Sequence, residues 1–161
     1  MINVAIATQY GFFFAVFGDT GLCRIDFPGK VRVFKPMKHP TGLHKRWLAT
    51  TAAALNSSLF GQVPRKLPPL DLAVGTEFQK SVWAELRNIP LGQTRSYGEI
   101  ARRLNKPGAS RAVGSACGAN PVPVVVPCHR VLAAHRRIGG FSAGSGWKQR
   151  LLRIEGVQFV E

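Results

Sequence analysis

The sequence predicts an α+β fold in two domains. Short apolar runs separated by turn residues fill its first part, helical periodicity dominates its second half, and a connector rich in proline and glycine lies between them. The connector, residues 61–75, reads GQVPRKLPPLDLAVG and contains three prolines and two glycines, which is typical of loops. We therefore expect an N-terminal α/β domain at residues 1–70 and a mainly helical C-terminal domain at residues 71–161.

The N-terminal domain is predicted to begin with β-hairpins. The runs INVAIA, FFFAVF and LCRIDF are short and apolar or aromatic, and they are separated by QYG and GDTG, which supply turn residues. A helix is expected to follow at about residues 43–59. This order of elements makes the domain a mixed one, with strands first and a helix after them.

The C-terminal domain is predicted to start with three helices. The first follows Thr76 as its N-cap and places an apolar face toward the core, made of Phe78, Val82, Trp83 and Leu86. The second, SYGEIARRL, begins with a serine and a glutamate in capping-box spacing. The third, ASRAVGSACGA, is short and follows the breaker NKPG, so that the last two helices resemble a helix-turn-helix.

The end of the domain is predicted to hold one strand and one helix. The segment PVPVVVPC, residues 121–128, is apolar and reads as a strand that its prolines keep at the edge of a sheet. The segment GWKQRLLRIEG reads as a terminal helix that ends at Gly156, a good C-cap residue. The predicted strand therefore lies between the helix pair and the last helix.

The net charge of the protein points to a polyanionic partner. Twenty-two Lys and Arg residues stand against eight Asp and Glu residues, which gives a formal charge of +14. Such an excess favours binding to phosphates, although a basic, solvated surface explains the charge equally well. No apolar run is long enough to span a membrane, and the opening residues lack the layout of a signal peptide, so we expect a cytoplasmic protein without a membrane partner.

The cysteines predict neither a disulfide framework nor a metal site. Cys23, Cys117 and Cys128 are an odd number and widely spaced, and no CxxC, HxxxH or HExxH motif occurs. Cys23 and Cys117 are most simply interpreted as small core residues. Cys128 differs because it lies between a proline and a histidine at the end of an apolar run. We expect no metal and no cofactor.

The third helix, at about residues 109–119, is poor in long side chains. Arg111 is its only long charged residue, whereas a helix that reads bases usually carries several Arg, Asn or Gln residues. Such a helix could approach a DNA groove closely while discriminating little between sequences. Tight packing against a core neighbour would explain its glycines as well. Its small residues include Ala109, Ser110, Ala112, Gly114, Ser115, Ala116 and Gly118.

Three segments resemble the O6-alkylguanine-DNA alkyltransferases, also called methylated-DNA–protein-cysteine methyltransferases. In that family's order and spacing come GTEFQKSVWAELRNIPLGQTRSYGEIA, SRAVGSACGANPVPVVVPCHRV, and GGFSAG with WKQRLLRIEG. The resemblance is dense over residues 75–156. It implies a suicide DNA repair protein that flips out O6-alkylguanine, and less well O4-alkylthymine, and transfers the alkyl group irreversibly to its own Cys128. It also implies a ribonuclease-H-like N-terminal domain.

The resemblance implies catalytic roles for five residues. Cys128 matches the nucleophile, and His129 and Glu155 match the pair that activates it through a water between imidazole and thiol. Asn120 matches the asparagine that links the recognition helix to the active-site strand and braces the nucleophile's loop. Tyr97 matches the tyrosine that crowds the 3′ phosphate of the target and donates toward guanine N3.

The resemblance also implies a partner, double-stranded DNA carrying O6-alkylguanine, and a base pocket. Arg111 matches the finger that fills the space left by the flipped nucleotide. Pro123 matches an apolar wall of the pocket, Val131 and Ser142 line it through a carbonyl and an amide, and Phe141 stands where many members carry tyrosine. The other residues expected to face DNA are Tyr97, Ala109, Ser110, Ala112, Gly114 and Ser115.

Elementary chemistry favours the same nucleophile. Displacement at a saturated carbon needs a thiolate, and a cysteine of ordinary pKa is only a few per cent ionised near pH 7, so a base is required. Adjacent side chains of a strand point to opposite faces, so Cys128 and His129 on a strand need a water relay or a bend to exchange a proton. An alkylated base inside a duplex hides its O6 atom, so the base must be extruded.

Two other functions compete with alkyl transfer. A pure binding module would flag lesions for other repair systems, but such relatives replace the cysteine that is present here. A cysteine hydrolase built from Cys128, His129 and Glu155 would leave the charge and the small-residue helix unexplained. We expect a monomer, and the sequence leaves open both the preferred alkyl group and whether molecules bind DNA cooperatively.

Overall fold

A computed structural model describes residues 1–29, 42–142, 144 and 146–161. The chain forms two compact units, Met1–Val74 and Gly75–Glu161. Within the described residues, no helix is both long and apolar enough to cross a membrane.

The N-terminal unit contains an antiparallel sheet in the order β1-β2-β3. The strands are β1 (Ile2–Thr8), β2 (Gly11–Phe17) and β3 (Leu22–Asp26), and helix α1 (Gly42–Leu59) follows them. The predicted hairpins and helix are therefore confirmed. Gly11, with φ 104°, lets the chain reverse between β1 and β2.

The connector after α1 takes part in the N-terminal unit. Leu22 donates its backbone N–H to the carbonyl of Pro69 at 2.8 Å, and the backbone N–H of Asp71 donates to the carbonyl of Leu22 at 2.9 Å. These bonds tie residues 69–71 of the connector to β3. The predicted boundary after residue 70 falls inside this pairing, and the compact unit extends to Val74.

The C-terminal unit is mainly helical. Its helices are α2 (Glu77–Arg87), α3 (Tyr97–Arg103), α4 (Ser110–Gly118) and α5 (Trp147–Ile154). Two short strands, β4 (Arg95–Ser96) and β5 (Val131–Leu132), pair in parallel. Helices α2 and α3 both begin with capping boxes, at Thr76 and Ser96, and α5 ends just before Gly156 in the left-handed conformation.

The core of this unit joins α2 to α4. Val82, Trp83 and Leu86 are buried on one face of α2, and the indole N–H of Trp83 donates to the carbonyl of Ala116 at 2.8 Å. A Cβ atom at Gly75 would collide with the Trp83 ring, so only glycine allows this tryptophan to pack there. The position of α4 relative to α2 is thereby set.

The predicted strand at residues 121–128 is wrong. This segment forms a tight loop in which the backbone N–H of Val126 donates to the carbonyl of Val122 at 2.9 Å. Val124 adopts φ 75°, a left-handed conformation that is rare for a β-branched residue. The three prolines of the segment have no backbone N–H to donate to a sheet, and the chain turns back on itself. Its apolar side chains are explained by their burial rather than by a strand.

Candidate active site and recognition helix

Cys128 begins a short 3₁₀ helix, Cys128–Arg130, at the end of this loop. Its backbone N–H donates to the carbonyl of Val126 at 2.9 Å, and the residue is 5% exposed. The side chain faces a cavity of about 330 Å³, within the range of small-molecule sites. We call this cavity the Cys128 pocket; it is lined by Tyr97, Gly114, Cys117, Gly118, Cys128, Gly140, Phe141 and Ser142.

Asn120 fastens the loop to the end of α4. Its amide Nδ2 donates to the carbonyl of Val126 at 2.8 Å, and its Oδ1 accepts from the backbone N–H of Val122 at 3.1 Å. The side chain is buried, so both bonds are formed away from water and hold the loop in one conformation. Asn120 therefore positions the residues that immediately precede Cys128.

Glu155 binds two neighbours of the thiol. Its carboxylate accepts from His129 Nε2 at 2.8 Å and from Arg130 Nε and Nη2 at 3.0 and 2.9 Å. The side chains of His129 and Glu155 are 1% and 2% exposed. Burial alone would raise the pKa of Glu155, but the hydrogen bonds from His129 and Arg130 prevail and lower it to about 2. The carboxylate is therefore charged near neutral pH.

This geometry assigns the proton on the His129 ring. A charged carboxylate can only accept, so Nε2 carries the hydrogen that is shared with Glu155. Burial lowers the pKa of His129 despite the opposing effect of Glu155. The lowered pKa keeps the ring neutral near pH 7. Nδ1 then carries the lone pair, and it is buried without a hydrogen-bond partner among the described residues. It is the nitrogen that can accept a proton.

The thiol of Cys128 is also neutral at rest. Burial raises its pKa, while the Asn120 side chain and the Lys148 ammonium act in the opposite direction. The 3₁₀ turn bends the chain between Cys128 and His129, so the alternation of side chains expected on a strand does not apply. The site thus pairs a neutral thiol with a neutral base next to it in the chain.

Lys148 is a component of the site that the sequence reasoning missed. The residue is 1% exposed, and its Nζ donates to the Gly140 carbonyl at 3.4 Å and lies 5.8 Å from the centre of the Tyr97 ring. Burial lowers its pKa to about 8, although the thiols of Cys128 and Cys117 act to raise it. Lys148 was recognisable in principle because it lies three and four residues before Leu151 and Leu152, on the buried face of α5.

Two more titratable groups line the pocket. Burial raises the pKa of Tyr97 to about 12 and that of Cys117 to about 12, so both are neutral donors in the physiological range. The ring of Tyr97 also packs against Gly114 of α4 and Gly139. Cys117 was predicted to be a core residue; it is buried and it lines the Cys128 pocket as well.

Helices α3 and α4 form the predicted helix pair. On α4, Val113, Ala116 and Cys117 are buried, whereas Arg111 is exposed and a Cβ atom at Gly118 would meet open space. The buried face accounts for the small residues that pack inward. The exposed face carries mostly small side chains, so it could approach a DNA groove closely. It consists of Arg111, Ala112, Ser115, Gly118 and Ala119.

The residues expected around the base divide into two groups. Phe141 and Ser142 line the Cys128 pocket. Pro123 and Val131 are buried and are not among the described residues that line it, so their place at the base stays a prediction; Val131 pairs with Arg95 in the parallel strand pair. Among the described residues, no three His, Cys, Asp or Glu side chains come together as a metal site.

The chain is similar to known proteins. Residues 77–157 match the family described as 6-O-methylguanine DNA methyltransferase, DNA binding domain. The methylated-DNA–protein-cysteine methyltransferase of Methanosarcina acetivorans is 54% identical over 82 residues, which are 51% of this chain and 53% of that protein. The match therefore spans about half the length of that relative. The corresponding protein of Mycolicibacterium paratuberculosis is 42% identical over 124 residues, 77% of this chain and 74% of that protein.

A solved structure resembles the whole chain. The crystal structure of Mycobacterium tuberculosis OGT in complex with DNA has a TM-score of 0.81 and 34% sequence identity. The match covers 96% of this chain and 92% of that one. The structural similarity therefore includes the N-terminal unit, which lies outside the segment where the sequence resemblance is dense.

Proposed function

We propose that this protein, which belongs to the 6-O-methylguanine DNA methyltransferase family, repairs DNA by moving an alkyl group from guanine O6 to its own Cys128. One observation carries the proposal. Cys128 lies at a pocket large enough for a purine base, and the next residue, His129, has a ring nitrogen, Nδ1, that is free to take the thiol proton. The bond from sulfur to the alkyl carbon forms as the bond from that carbon to O6 breaks.

The proton route follows from the tautomer of His129. Cys128 Sγ gives its proton to His129 Nδ1, with one water as the relay, and Glu155 stabilises the imidazolium through Nε2. Guanine leaves as an anion and takes up one proton, for which the Tyr97 hydroxyl at the pocket wall is a neutral donor toward N3. The thioether that forms is not hydrolysed, so each molecule acts once.

Helix α4 is proposed to bring the pocket to the base. Its exposed face carries small residues and one arginine, Arg111, which would enter the duplex and replace the extruded nucleotide. Extrusion costs a few kcal/mol of unstacking and is easier at a damaged pair. The charge of +14 supports binding to the phosphate backbone, and double-stranded DNA carrying O6-alkylguanine is the proposed partner.

Several finer predictions accompany this function. The N-terminal unit is proposed to be a ribonuclease-H-like domain that supports the site, and its three-stranded sheet followed by a helix is consistent with that. O4-alkylthymine is proposed as a poorer substrate. A monomeric state and a cytoplasmic location remain predictions from the sequence.

Mass spectrometry of the intact protein tests the proposal. After incubation with duplex DNA containing O6-methylguanine, the protein is expected to gain one methyl group in place of one hydrogen, and peptide mapping should locate it on Cys128. The same duplex with unmodified guanine is the control and should leave the mass unchanged. A protein that binds the lesion but gains no mass would be a binding module, and the proposal would be wrong.

Lys148 is proposed to stabilise the Cys128 thiolate. A buried ammonium needs a compensating anion, and no carboxylate pairs with Lys148 among the described residues. The thiols of Cys128 and Cys117 are the acidic groups that act on it together. Because the attacking atom must become a thiolate, Lys148 lowers the energy of the state from which attack occurs.

A Lys148→Met variant should therefore show a higher pH midpoint for the reaction of Cys128. The rate of carbamidomethylation of Cys128 by iodoacetamide, followed on its peptide, is expected to rise with pH in the wild type, because burial raises the pKa of this thiol. Removing the ammonium should move the midpoint upward by about one pKa unit, or tenfold in rate at pH 7.

The same variant should be more stable than the wild type below pH 8. A lysine pKa lowered from 10.5 to about 8 corresponds to at most about 3 kcal/mol of buried-charge cost. This cost is present below pH 8 and fades as the pH rises to the pKa of the unfolded chain. Lys80→Met, which removes a partly exposed lysine of α2 that pairs with Glu77 at the surface, is the control and should change neither property. An unchanged pH midpoint in Lys148→Met would refute the role.

A further inference from the structure

A second pocket lies where β4 meets β5. The parallel pairing of Arg95 with Val131 and of Ser96 with Leu132 brings the start of α3 next to the segment that follows β5. Between them is a cavity of about 210 Å³. We call it the Arg136 pocket; it is lined by Thr94, Arg95, Ser96, Glu99, Leu132, Ala133, His135 and Arg136.

The Arg136 pocket has an excess of positive charge. Arg95 and Arg136 contribute two cations, and neither forms an ion pair within the described residues. Arg95 donates only to the neighbouring carbonyl of Thr94, at 3.1 Å. The one carboxylate, Glu99, accepts from the backbone N–H of Ser96 at 2.6 Å as part of the capping box of α3. The site therefore presents two guanidinium groups without an ion pair among the described residues, although Arg95 is near enough to Glu99 to help lower the pKa of that carboxyl.

The chain that carries Arg136 is held in a strained conformation. His135 and Arg136 have φ values of 57° and 59°, two successive non-glycine residues in the left-handed region. The backbone around them is fixed, since Ala133 N–H donates to the Arg137 carbonyl at 2.8 Å and Val160 N–H donates to the Arg136 carbonyl at 2.9 Å. Both side chains are exposed. Strain that is retained in this way is typical of functional sites.

The two pockets share one boundary. Ser96 lines the Arg136 pocket, and Tyr97, the next residue, lines the Cys128 pocket. A nucleotide whose base occupies the Cys128 pocket stays linked to its strand through phosphates at the mouth of that pocket. Arginine suits such a group because its planar fork matches two phosphate oxygens.

We propose that the Arg136 pocket binds a phosphodiester of the DNA strand whose extruded base enters the Cys128 pocket. The inference rests on the proposed function. It assigns to Arg136, with Arg95 and His135, the task of holding the backbone next to the reacting nucleotide. The recognition helix α4 would then contact DNA on one side of Tyr97 and the Arg136 pocket on the other.

The test measures DNA affinity of Arg136→Ala against salt concentration, on a duplex containing O6-methylguanine. The affinity is expected to fall for every DNA sequence, and the slope of log affinity against log salt should become shallower by about 0.9 for the lost phosphate. Arg136→Lys should keep most of the slope because it keeps the charge. Arg87→Ala, which removes an exposed arginine at the end of α2, is the charge-matched control and should keep the wild-type slope.

Two further readings separate this inference from the function proposed above. Alanine keeps the same left-handed backbone strain, so thermal unfolding of Arg136→Ala should match the wild type. Reaction of its Cys128 with iodoacetamide, which has no phosphate, should also be unchanged. An unaltered affinity and salt slope in Arg136→Ala would overturn the inference while leaving alkyl transfer intact. Binding of inorganic phosphate that depends on Arg136, with unaltered DNA binding, would show a free-anion site and would also overturn it.

Discussion

A Cys128→Ser variant is expected to accept no methyl group from O6-methylguanine DNA and to bind that DNA as the wild type does. Serine is nearly isosteric, so the pocket and the loop held by Asn120 should persist. Its hydroxyl ionises at far higher pH than a thiol, and His129, whose pKa burial lowers, is too weak a base to remove the proton. The rate of transfer should drop on the order of 10⁴-fold or more.

Transfer is measured with DNA carrying a labelled methyl group. Cys117→Ser is the matched control, because Cys117 lines the same pocket but has a pKa raised to about 12 and should act only as a wall. This control should retain transfer. Label that reaches the Cys128→Ser protein, or transfer that disappears with Cys117→Ser, would contradict Cys128 as the acceptor.

Glu155→Gln is expected to slow transfer strongly and to destabilise the protein. In the wild type His129 and Arg130 share the Glu155 carboxylate, whereas the glutamine amide offers them a single acceptor oxygen. The substitution also leaves the Arg130 cation without a negatively charged partner. Loss of one member of a buried ion pair costs about 3–5 kcal/mol. With the tautomer of His129 no longer enforced, the base should lose its effect, so that transfer falls on the order of 10² to 10⁴-fold.

The pH dependence identifies the cause of the instability. The pKa of Glu155 lies at about 2, below that of the unfolded chain, so its stabilisation is present above about pH 4.5 and is lost as the pH falls toward 2. The difference in melting temperature between wild type and Glu155→Gln should therefore be large at pH 7 and shrink in acid. Transfer is measured well below both melting temperatures, so that both proteins are folded.

Glu161→Gln provides the control for charge alone. Glu161 pairs with Arg153 at 2.9 Å on the surface, where such a pair contributes little. This variant should match the wild type in both stability and transfer. If Glu155→Gln transferred the methyl group at the wild-type rate, the activation of Cys128 through His129 would be wrong.

Local sequence patterns were sufficient for the elements that depend on neighbours in the chain. Thr76 and Ser96 cap α2 and α3 because the partners of a capping box are only three residues away. The hairpins of the N-terminal unit follow in the same way from apolar runs and turn residues. The family resemblance pointed to His129 and Glu155, whose side chains lie 2.8 Å apart, and to Asn120, which bonds the loop before Cys128.

The same local reasoning failed where distant contacts decide. An apolar run with prolines was interpreted as a strand, but residues 121–127 form no ladder with another strand in the described part of the chain, and the Asn120 side chain holds them as a loop. Pro123 and Val131 are buried, and their predicted place at the base stays a prediction. Which face a buried side chain reaches depends on the packing of several elements at once.

The sequence by itself identified the family and predicted the nucleophile, its base and the helix pair, because these predictions rest on residue identity and on spacing within short motifs. Tertiary structure decided the charges around the thiol. Lys148 lies twenty residues after Cys128 in the chain, yet α5 buries its ammonium near that sulfur, and the pairing of β4 with β5 collects Arg95 and Arg136 at one cavity. Burial and the proximity of charges are set only when the chain packs, since both depend on which atoms replace water.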